Sequence, residues 1–337
     1  MIQTNSMQTT VEIQKTLQSL YAPIQTDLHA AMRIFDDEIA CDLPFVDELC
    51  GVVRSYRGKM LRPALLLLTA RACGRVTGEH HVLAAVVEMV HMATLVHDDV
   101  LDEADERRRQ PTVGSIAGNE AAVLLGDFLI SHAFHLCSNL DSQEASRTIA
   151  AATNTVCEGE MLQNHLRGRL DLSEAQYFDI IGRKTAALTA AACALGARFS
   201  GACDEFVASS RRYGKAAGMA FQIIDDVLDV TGDQDAVGKT LGRDADLGKV
   251  TLPTLHALAR ADGDEASAIA AGIGEPGRDG RAAALRDRLR RLGSIDYAVD
   301  LARNHVRDAL AQLAGLPDSA AKKALAALAT FIIDRSF

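Results

Sequence analysis

Apolar residues recur along most of this chain with the three- and four-residue spacing of α-helices. Two such series are Leu17, Leu20, Tyr21, Ile24 and Leu28 near the amino end, and Leu325, Leu328, Phe331 and Ile332 near the carboxyl end. Strand-like alternation of apolar and polar residues is almost absent. Clusters of glycine, proline and polar residues separate about ten helical segments. The pattern predicts an all-α fold, a single large helical bundle over residues 1–337.

Three segments lack the helical pattern. Residues 1–12 are polar and have neither the basic start nor the apolar run of a signal peptide, so we expect a flexible amino-terminal tail. Thr231–Val250 is rich in glycine and aspartate, and Asp262–Arg281 contains five glycines and a proline. We expect both to be loops, the second a flexible surface excursion and not a domain boundary.

Composition and charge narrow the possible functions. Hydrophobic residues make up 48% of the 337 residues, which excludes a disordered chain. The net charge of -10 argues against a nucleic-acid partner, which requires a basic face. The seven cysteines are odd in number and form no C-x-x-C pair, so we expect free, mostly buried thiols and a cytoplasmic protein. No uncharged stretch is long enough to predict a membrane span.

The first segment with candidate chemistry is Val82–Asp105, an apolar run that ends in acids. On one helix, His91, Asp98, Asp102 and Asp105 would project from the same face. Carboxylates crowded on one stripe repel each other, and all-oxygen ligation favours a hard cation such as Mg²⁺. The alternative is a solvated acidic helix end, although acids at a helix carboxyl end are unfavourable for its dipole.

The same D-D-x-x-D pattern returns in Gly218–Asp229, where Asp225 and Asp229 share a face with Gln222. Two apolar helices that each end in paired carboxylates form a more specific signal than either one alone. If both face one cavity, they can hold a cluster of Mg²⁺ ions that clamps a diphosphate. The basic residues that could grip diphosphates are Lys59, Arg62, Arg107, Arg108, Lys184, Lys239 and Lys249.

These motifs resemble those of the trans-isoprenyl diphosphate synthases, also called polyprenyl synthetases. The matching segments are GKMLRP (58–63), EMVHMATLVHDDVLDEADERR (88–108), GRKTA (182–186), GMAFQIIDDVLD (218–229) and VGKTLGRDADLGKVTLP (237–253). The resemblance covers nearly the whole chain. It implies an isoprenoid synthase fold with a central cavity and a homodimer. It also implies Mg²⁺-dependent head-to-tail condensation of isopentenyl diphosphate with dimethylallyl, geranyl or farnesyl diphosphate.

The resemblance also implies a role for each matching residue. The pocket for isopentenyl diphosphate falls on Lys59, Arg62, His91 and Arg108. The Mg²⁺ ligands, for about three ions, fall on Asp98, Asp102, Asp225 and Asp229, with Asp99 and Asp226 nearby. The contacts to the allylic diphosphate fall on Arg107, Lys184, Thr185, Gln222, Lys239 and Lys249. For His91 alone, the alternative is an ordinary core histidine.

Product length is expected to depend on the helix before the first acids. Short-chain members of the family tend to carry an aromatic residue four or five positions before the first aspartate, where this chain has Thr94 and Ala93. Small side chains there imply a long all-trans product, in the hexaprenyl to decaprenyl range. Phe134 is expected to form a deeper floor of the tunnel. A short-chain product, of farnesyl or geranylgeranyl length, is the alternative.

The sequence departs from the family pattern after the first acidic segment. Arg109-Gln110 stands where the family has glycine and a basic residue, and Gly114 stands where asparagine is common. We expect these changes to alter the loop and not the metal site.

Other protein classes fit the motifs less well. A phosphohydrolase using His97-Asp98 would need more histidines, and a di-iron bundle would need a second Glu-x-x-His pair beside Glu88 and His91. A terpene cyclase would have a different second motif, and a non-catalytic regulatory subunit would be expected to have lost acids or basic residues. A membrane-contacting role for Arg281–Arg291 is less favoured than a solvated helix face.

Overall fold

The computed structural model describes residues 15–231, 242–274 and 281–334. Within these ranges the chain is helical apart from one pair of two-residue strands, so the all-α prediction is confirmed. One hydrophobic cluster extends from Leu17 to Ile332. The expected tail at residues 1–12 and the candidate ligand Lys239 lie outside the described residues. A single domain over residues 1–337 stays a prediction.

The helices are shorter and more numerous than the sequence pattern predicts. Residues 15–21 are helical and lead into a 3₁₀ turn at Ala22–Ile24. The α-helices are α1 (Gln25–Glu38), α2 (Pro44–Ser55), α3 (Leu61–Cys73), α4 (Gly78–Leu101), α5 (Val113–Ala117), α6 (Asn119–Ser138), α7 (Gln143–His165), α8 (Glu174–Ile181), α9 (Ala187–Phe199), α10 (Asp204–Thr231), α11 (Arg243–Asp246), α12 (Leu252–Arg260), α13 (Gly263–Ala270), α14 (Arg281–Arg291), α15 (Ser294–Gln312) and α16 (Ala320–Asp334). Strands β1 (Glu106–Arg107) and β2 (Gln110–Pro111) pair antiparallel between α4 and α5. A π-helical turn, Gly182–Ala186, joins α8 to α9.

Two of the expected loops contain helices. The segment Asp262–Arg281 includes α13, whose Ile269 is fully buried, and Thr231–Val250 includes the four-residue α11. The prediction that these segments are loops was therefore wrong for the residues of α11 and α13. Helices this short contain too few apolar repeats to produce a periodic signal, and packing against the bundle holds them instead.

The centre of the bundle is formed by α3, α4, α9 and α10. In α3 every residue from Pro63 to Ala70 is buried, and in α4 the same holds from Leu83 to Val90. The same holds in α9 from Leu188 to Ala197. Helices that are buried on all sides must be surrounded by other helices, which places α3, α4 and α9 inside the bundle, and α10 packs its apolar face against them. The carboxyl end of α4 and that of α10 therefore bring polar side chains to the edge of the core.

Glycines allow α3, α9 and α10 to approach each other closely. A Cβ at Gly214 of α10 would lie 2.5 Å from the carbonyl oxygen of Thr189 on α9. At Gly196 of α9, a Cβ would overlap the backbone carbonyl of Leu66 on α3. Because backbone atoms cannot move aside as a side chain does, these contacts fix the spacing of the three helices.

We expect Gly214→Ala to lower the free energy of unfolding by about 1–3 kcal/mol, because the added methyl group forces α9 and α10 apart. The matched control is Gly51→Ala on α2, where no atom lies within 4 Å of the added Cβ. That change is expected to raise stability by about 0.5–1 kcal/mol, because alanine restricts the unfolded chain. Urea unfolding of both variants measures the difference, and equal effects would contradict the packing argument.

Two expectations about the surface need adjustment. Within the described residues, one helix, α6, is long and apolar enough to cross a membrane by length and composition, although a single such helix is weak evidence. Its apolar window is 33% buried in the bundle.

All seven cysteines are free, as expected, but Cys157 and Cys203 are exposed. Cys157 lies on the solvent-facing side of α7, and Cys203 lies in the turn just before α10.

Candidate active site

The first acidic cluster lies where α4 ends. Asp98 and Asp102 are 16% and 19% exposed, and the Asp102 N–H caps the helix by donating to the Asp98 carbonyl oxygen at 2.9 Å. Glu103 then takes a left-handed conformation, with φ of 46°, which terminates the helix. Asp105 lies beyond this break and is exposed. The prediction that Asp105 shares a helix face with Asp98 and Asp102 was therefore wrong.

Basic side chains from distant segments neutralise these acids. Asp102 accepts from Lys249 Nζ at 2.7 Å and from an Arg167 guanidinium nitrogen at 3.0 Å. Burial alone would raise the pKa of Asp102, but the charge of Lys249 and then those of Lys184 and Arg167 hold it below its usual value. Asp99 is buried and pairs with Arg107, whose Nε lies 2.9 Å from one carboxylate oxygen.

The second acidic cluster lies on the last two turns of α10. Asp226 is 4% exposed and accepts from Tyr177 Oη at 2.7 Å and from Gln222 Nε2 at 2.8 Å. Burial, followed by the charge of Asp244, raises the pKa of Asp226 well above its usual value. One Asp229 carboxylate oxygen accepts from the backbone N–H of Asp244 at 3.2 Å. The two side chains that donate to Asp226 are therefore neutral hydrogen-bond donors.

Lys184 stands between the two clusters on the π-helical turn. Its Nζ lies 3.5 Å from Asp98, donates to Gln163 at 3.0 Å and forms an ion pair with Glu160. Burial would lower the pKa of Lys184, but Asp98 and Glu160 raise it, so the amine stays charged. The pKa of Glu160 rises to about 7, because it is buried and faces Asp98. The next residue, Thr185, donates to the Gln222 side chain at 2.7 Å.

The π-helical turn has a packing requirement of its own. A Cβ at Gly159 of α7 would lie 2.6 Å from the backbone nitrogen of Lys184. Glycine at this position lets α7 lie directly against the turn. The Lys184 side chain can then reach Glu160 and Gln163, one helical turn apart on α7.

A cleft of about 610 Å³ opens between these elements. Among the residues lining it are Gln163, Arg167, Tyr177, Lys184, Gln222, Asp226, Asp244 and Lys249. Three of these, Lys184, Gln222 and Lys249, were predicted as site residues from the sequence. The cleft is therefore bounded by one acid each from α10 and α11 and by cations from the π-helical turn and from the segments after α7 and α11.

A second basic group surrounds Arg62, at the start of α3. Burial lowers the pKa of Arg62, and its Nε has no hydrogen-bond partner among the residues that the structure describes. Burial and then the charges of Arg62, Arg107 and Arg108 lower the pKa of His91 well below its usual value. His91 is thus a neutral imidazole that can donate one hydrogen bond. Thr185 and Arg62 also line a smaller apolar cleft, of about 350 Å³, together with Phe221.

Gly58 makes room for Arg108. A Cβ at Gly58 would overlap the Arg108 guanidinium, whose Nη1 donates to the Tyr56 carbonyl oxygen at 2.5 Å. Lys59, the next residue, has an exposed side chain, and its carbonyl oxygen accepts from Tyr21 Oη at 2.7 Å. The segment before α3 and the hairpin after α4 therefore bring Arg62 and Arg108 to one side of α4.

Comparison with known proteins places this geometry in a family. The family model described as polyprenyl synthetase matches residues 44–286. The chain belongs to the polyprenyl synthetase family. Octaprenyl diphosphate synthase of Escherichia coli is 34% identical over 89% of this chain and 93% of that protein. A short chain isoprenyl diphosphate synthase of Methanothermobacter thermautotrophicus is 37% identical over 82% of this chain and 86% of that protein.

Solved structures agree with this assignment. The polyprenyl synthase of Caulobacter crescentus, crystallised with calcium and isoprenyl diphosphate, superposes with a TM-score of 0.91. It is 35% identical, and the match covers 95% of this chain and 98% of that one. A decaprenyl diphosphate synthase from Rhodobacter capsulatus gives a TM-score of 0.90 at 32% identity, over 95% and 99% of the two chains. The predicted isoprenoid synthase fold and prenyltransferase class are confirmed.

Relatives of this polyprenyl synthetase are named for both long and short products. The resemblance to long-chain members is confirmed by the octaprenyl synthase and by an all-trans-nonaprenyl-diphosphate synthase that is 36% identical over 94% of the chain. Geranylgeranyl diphosphate synthases match as well. Membership of the family therefore does not determine product length, which must depend on particular residues.

The residues expected to set product length lie apart from both clefts described above. Ala93 is fully buried in the hydrophobic core, and the Thr94 hydroxyl donates to the His91 carbonyl oxygen at 2.7 Å. Phe134 on α6 packs partly buried against the same core. Neither cleft is lined by any of the three. Their role in product length stays a prediction.

The departures from the family pattern fall in the hairpin that follows α4. Arg108 and Arg109, between β1 and β2, both have left-handed backbones, with φ of 53° and 64°. Two such residues are typical of a type I′ turn, where glycine is preferred because a side chain costs about 1–2 kcal/mol. Gly114 lies further on, in α5. The hairpin keeps its shape with arginine at both positions, and the acids on α4 keep their partners.

Sequence reasoning missed several residues of the site. Glu160, Gln163, Arg167, Tyr177 and Asp244 all contact a predicted site residue or line the larger cleft. Glu160 and Gln163 are three positions apart and share one face of α7, and this spacing of polar residues was visible in the sequence. Arg167 follows the end of α7 and reaches Asp102 only through the fold, so no spacing in the sequence could indicate that contact.

Glu88 gives the site a testable pH dependence. Its carboxyl group is 2% exposed on α4, and burial raises its pKa to about 7, although Arg62 opposes the shift. Since the folded state holds this proton more tightly than the unfolded state, the contribution to stability is full below pH about 4.5 and is lost as the pH rises through about 7. We expect Glu88→Gln to make the free energy of unfolding fall less steeply over this range.

Urea unfolding between pH 5 and pH 8, without added metal, measures that slope. Glu120→Gln serves as the control, because Glu120 is exposed at the start of α6. Its slope should equal that of the unmodified protein. If Glu88→Gln also leaves the slope unchanged, the buried carboxyl group is already ionised in the folded state.

Proposed function

We propose that this polyprenyl synthetase condenses isopentenyl diphosphate head-to-tail with an allylic diphosphate and repeats the step to give a long all-trans polyprenyl diphosphate. One observation carries the proposal: Lys184 and Lys249 line a cleft together with Asp226 of α10, and the same two lysines pair with Asp98 and Asp102 at the end of α4. This arrangement suits a ligand with dense negative charge bound through cations.

The donor set fits a divalent metal. Asp98, Asp102, Asp225 and Asp229 offer only carboxylate oxygens, which hard cations such as Mg²⁺ prefer. The family includes structures with calcium and isoprenyl diphosphate, from Caulobacter crescentus and Corynebacterium glutamicum. We propose Mg²⁺ as the natural ion, in a cluster of about three. When bound, Mg²⁺ stabilises the charge that develops on the departing diphosphate.

The residues of the chain then divide the two substrates between them. The proposed contacts to the allylic diphosphate are Arg107, Lys184, Thr185, Gln222, Lys239 and Lys249. Those to isopentenyl diphosphate are Lys59, Arg62, His91 and Arg108. Arg62 supports this division, because it lines a cleft with apolar walls that suits a short hydrocarbon. His91 lies close enough to Arg62 to feel its charge.

No side chain is assigned as nucleophile or general base. The allylic C–O bond breaks, the double bond of isopentenyl diphosphate attacks the resulting cation, and a proton leaves the new chain. The released diphosphate can accept that proton. Lys184 stays charged between Asp98 and Glu160 and holds the diphosphate as a cation without moving a proton.

We further propose a cytoplasmic homodimer. The proposed partner surface is the amino-terminal half of the outward face of α6, where Val123 and Leu124 are 43% and 68% exposed on an apolar helix. A second copy would cover this face without placing it in a lipid bilayer. A relative is named heptaprenyl diphosphate synthase component 2, so pairing with a different chain is the alternative.

The metal proposal predicts that Asp98→Asn and Asp225→Asn each lower kcat by about 1000-fold or more. Each change removes a charged ligand, and the ligands together supply several kcal/mol of transition-state stabilisation. The assay follows labelled isopentenyl diphosphate into extractable product at saturating Mg²⁺. Asp300→Asn is the matched control, because Asp300 is 68% exposed on α15, and it should keep full activity. Near-normal turnover of either site variant would refute the assignment.

The tunnel proposal predicts that Ala93→Phe shortens the main product to farnesyl or geranylgeranyl diphosphate while condensation continues. The ring would block a chain that runs back along α4, one turn of about 5.4 Å behind the acids. Mass measurement of the products, with excess isopentenyl diphosphate, gives the chain length. Ala93→Val should give an intermediate length.

Because Ala93 is fully buried, the phenylalanine could cost about 1–3 kcal/mol of stability. Thermal unfolding of the variant therefore accompanies the product measurement. An unmodified enzyme that already stops at farnesyl or geranylgeranyl diphosphate would overturn the long-chain proposal. A folded Ala93→Phe variant that makes the original long chain would overturn the tunnel position.

A further inference from the structure

A second group of potential metal ligands lies outside the acidic cleft. Glu38 is the last residue of α1, and His132 and His135 are spaced three apart on α6, which puts both imidazoles on one side of that helix. Each imidazole Nδ1 lies 2.8 Å from the same Glu38 carboxylate oxygen. The proposed condensation uses none of these three side chains.

The ligand atoms have nearly the spacing of a tetrahedral site. All three lie within 4.8 Å of one another. Zn²⁺ bonds of about 2.0–2.2 Å would put neighbouring ligand atoms roughly 3.3 Å apart. Each imidazole therefore needs to retreat from Glu38 by about half an ångström. The cation takes the place of the Nδ1 hydrogens that face the carboxylate, and each neutral imidazole then carries its proton on Nε2.

The surroundings favour a bound ion over an ordinary surface ion pair. Glu38 and His132 have side chains 15% and 30% exposed, whereas that of His135 is 63% exposed. The inner ligands are thus fixed, while the outer side stays open for the ion and a water ligand. The Asn139 amide nitrogen lies 3.4 Å from His135 Nε2. With the amide group turned over, its oxygen can accept the N–H of a metal-bound imidazole. The Phe128 ring, 4.2 Å from that of His132, limits its rotation.

We propose that Glu38, His132 and His135 form a site for a transition metal such as Zn²⁺, distinct from the Mg²⁺ site. Imidazole nitrogens bind Zn²⁺ in preference to Mg²⁺, so the two sites select different ions. His132 and His135 lie about 9 and 14 Å further along α6 than Gly126, which packs against His97 beside the acids. The bound ion ties the end of α1 to α6. The proposal of this site rests on the geometry of these three residues and does not depend on the proposed prenyl transfer.

The test is a Zn²⁺ titration of the chelator-treated, dialysed protein in excess Mg²⁺, which occupies the acidic cleft. The unmodified protein should bind one equivalent of Zn²⁺ that Glu38→Gln and His135→Ala lose, with affinity reduced by about 30-fold or more. Thermal unfolding should shift upward with Zn²⁺ in the unmodified protein and not in these variants. His29→Ala is the matched control, because His29 is an exposed histidine on the same helix, α1.

Substitution with Co²⁺ adds a spectroscopic signature, because visible absorption reports four- or five-coordinate nitrogen and oxygen ligation. Since His135 is mostly exposed, its replacement should leave the fold intact, and circular dichroism confirms this. If the variants keep the full stoichiometry and affinity, the ion binds elsewhere, at the exposed cysteines or the acids, and the proposal is wrong. Failure of the unmodified protein to bind Zn²⁺ in excess Mg²⁺ would also overturn it.

Discussion

The structure depends on keeping carboxylates at the ends of two buried helices. Acids on α4 and α10 repel one another, lose solvation at the edge of the core and oppose the dipole of their own helix. Cations and hydrogen-bond donors from distant segments offset this cost: Lys249 and Arg167 at Asp102, Lys184 at Asp98, and Tyr177 at Asp226. The positions of α7, α8 and the segment after α11 follow from that requirement.

The same pairing bears on how ligands enter the site. Lys184 and Lys249 already occupy oxygens of Asp98 and Asp102, so a metal ion arriving alone must compete with them. A diphosphate offers both lysines a new anionic partner and releases the carboxylates at the same time. Metal and diphosphate are therefore expected to bind together more strongly than either does alone, because each removes an obstacle to the other.

The sequence was sufficient for the fold class and for the two acidic clusters, because buried helices and paired aspartates leave a periodic pattern. It was not sufficient where a local backbone conformation or a contact between residues far apart in the sequence determines the structure. Glu103 ends α4 by its left-handed conformation and thereby excludes Asp105 from the site. Arg167 reaches Asp102 across 65 positions of the chain, and α11 is only four residues long. Such features arise from tertiary packing, which a single sequence does not display.

The glycine contacts distinguish a helix interface whose spacing is fixed from one whose side chains can rearrange. Between α3, α9 and α10 the closest neighbour of a Cβ at Gly196 or Gly214 is a backbone carbonyl oxygen, which cannot yield. Between α4 and α6, the closest neighbours of a Cβ at Gly126 are atoms of the His97 side chain, which can adopt another rotamer. Substitutions that reshape the interior should therefore be tolerated more readily between α4 and α6 than between α3, α9 and α10. If the growing product runs along α4 as proposed, a lineage could in this way change the length of its lipid while Asp98 and Asp102 stay in place.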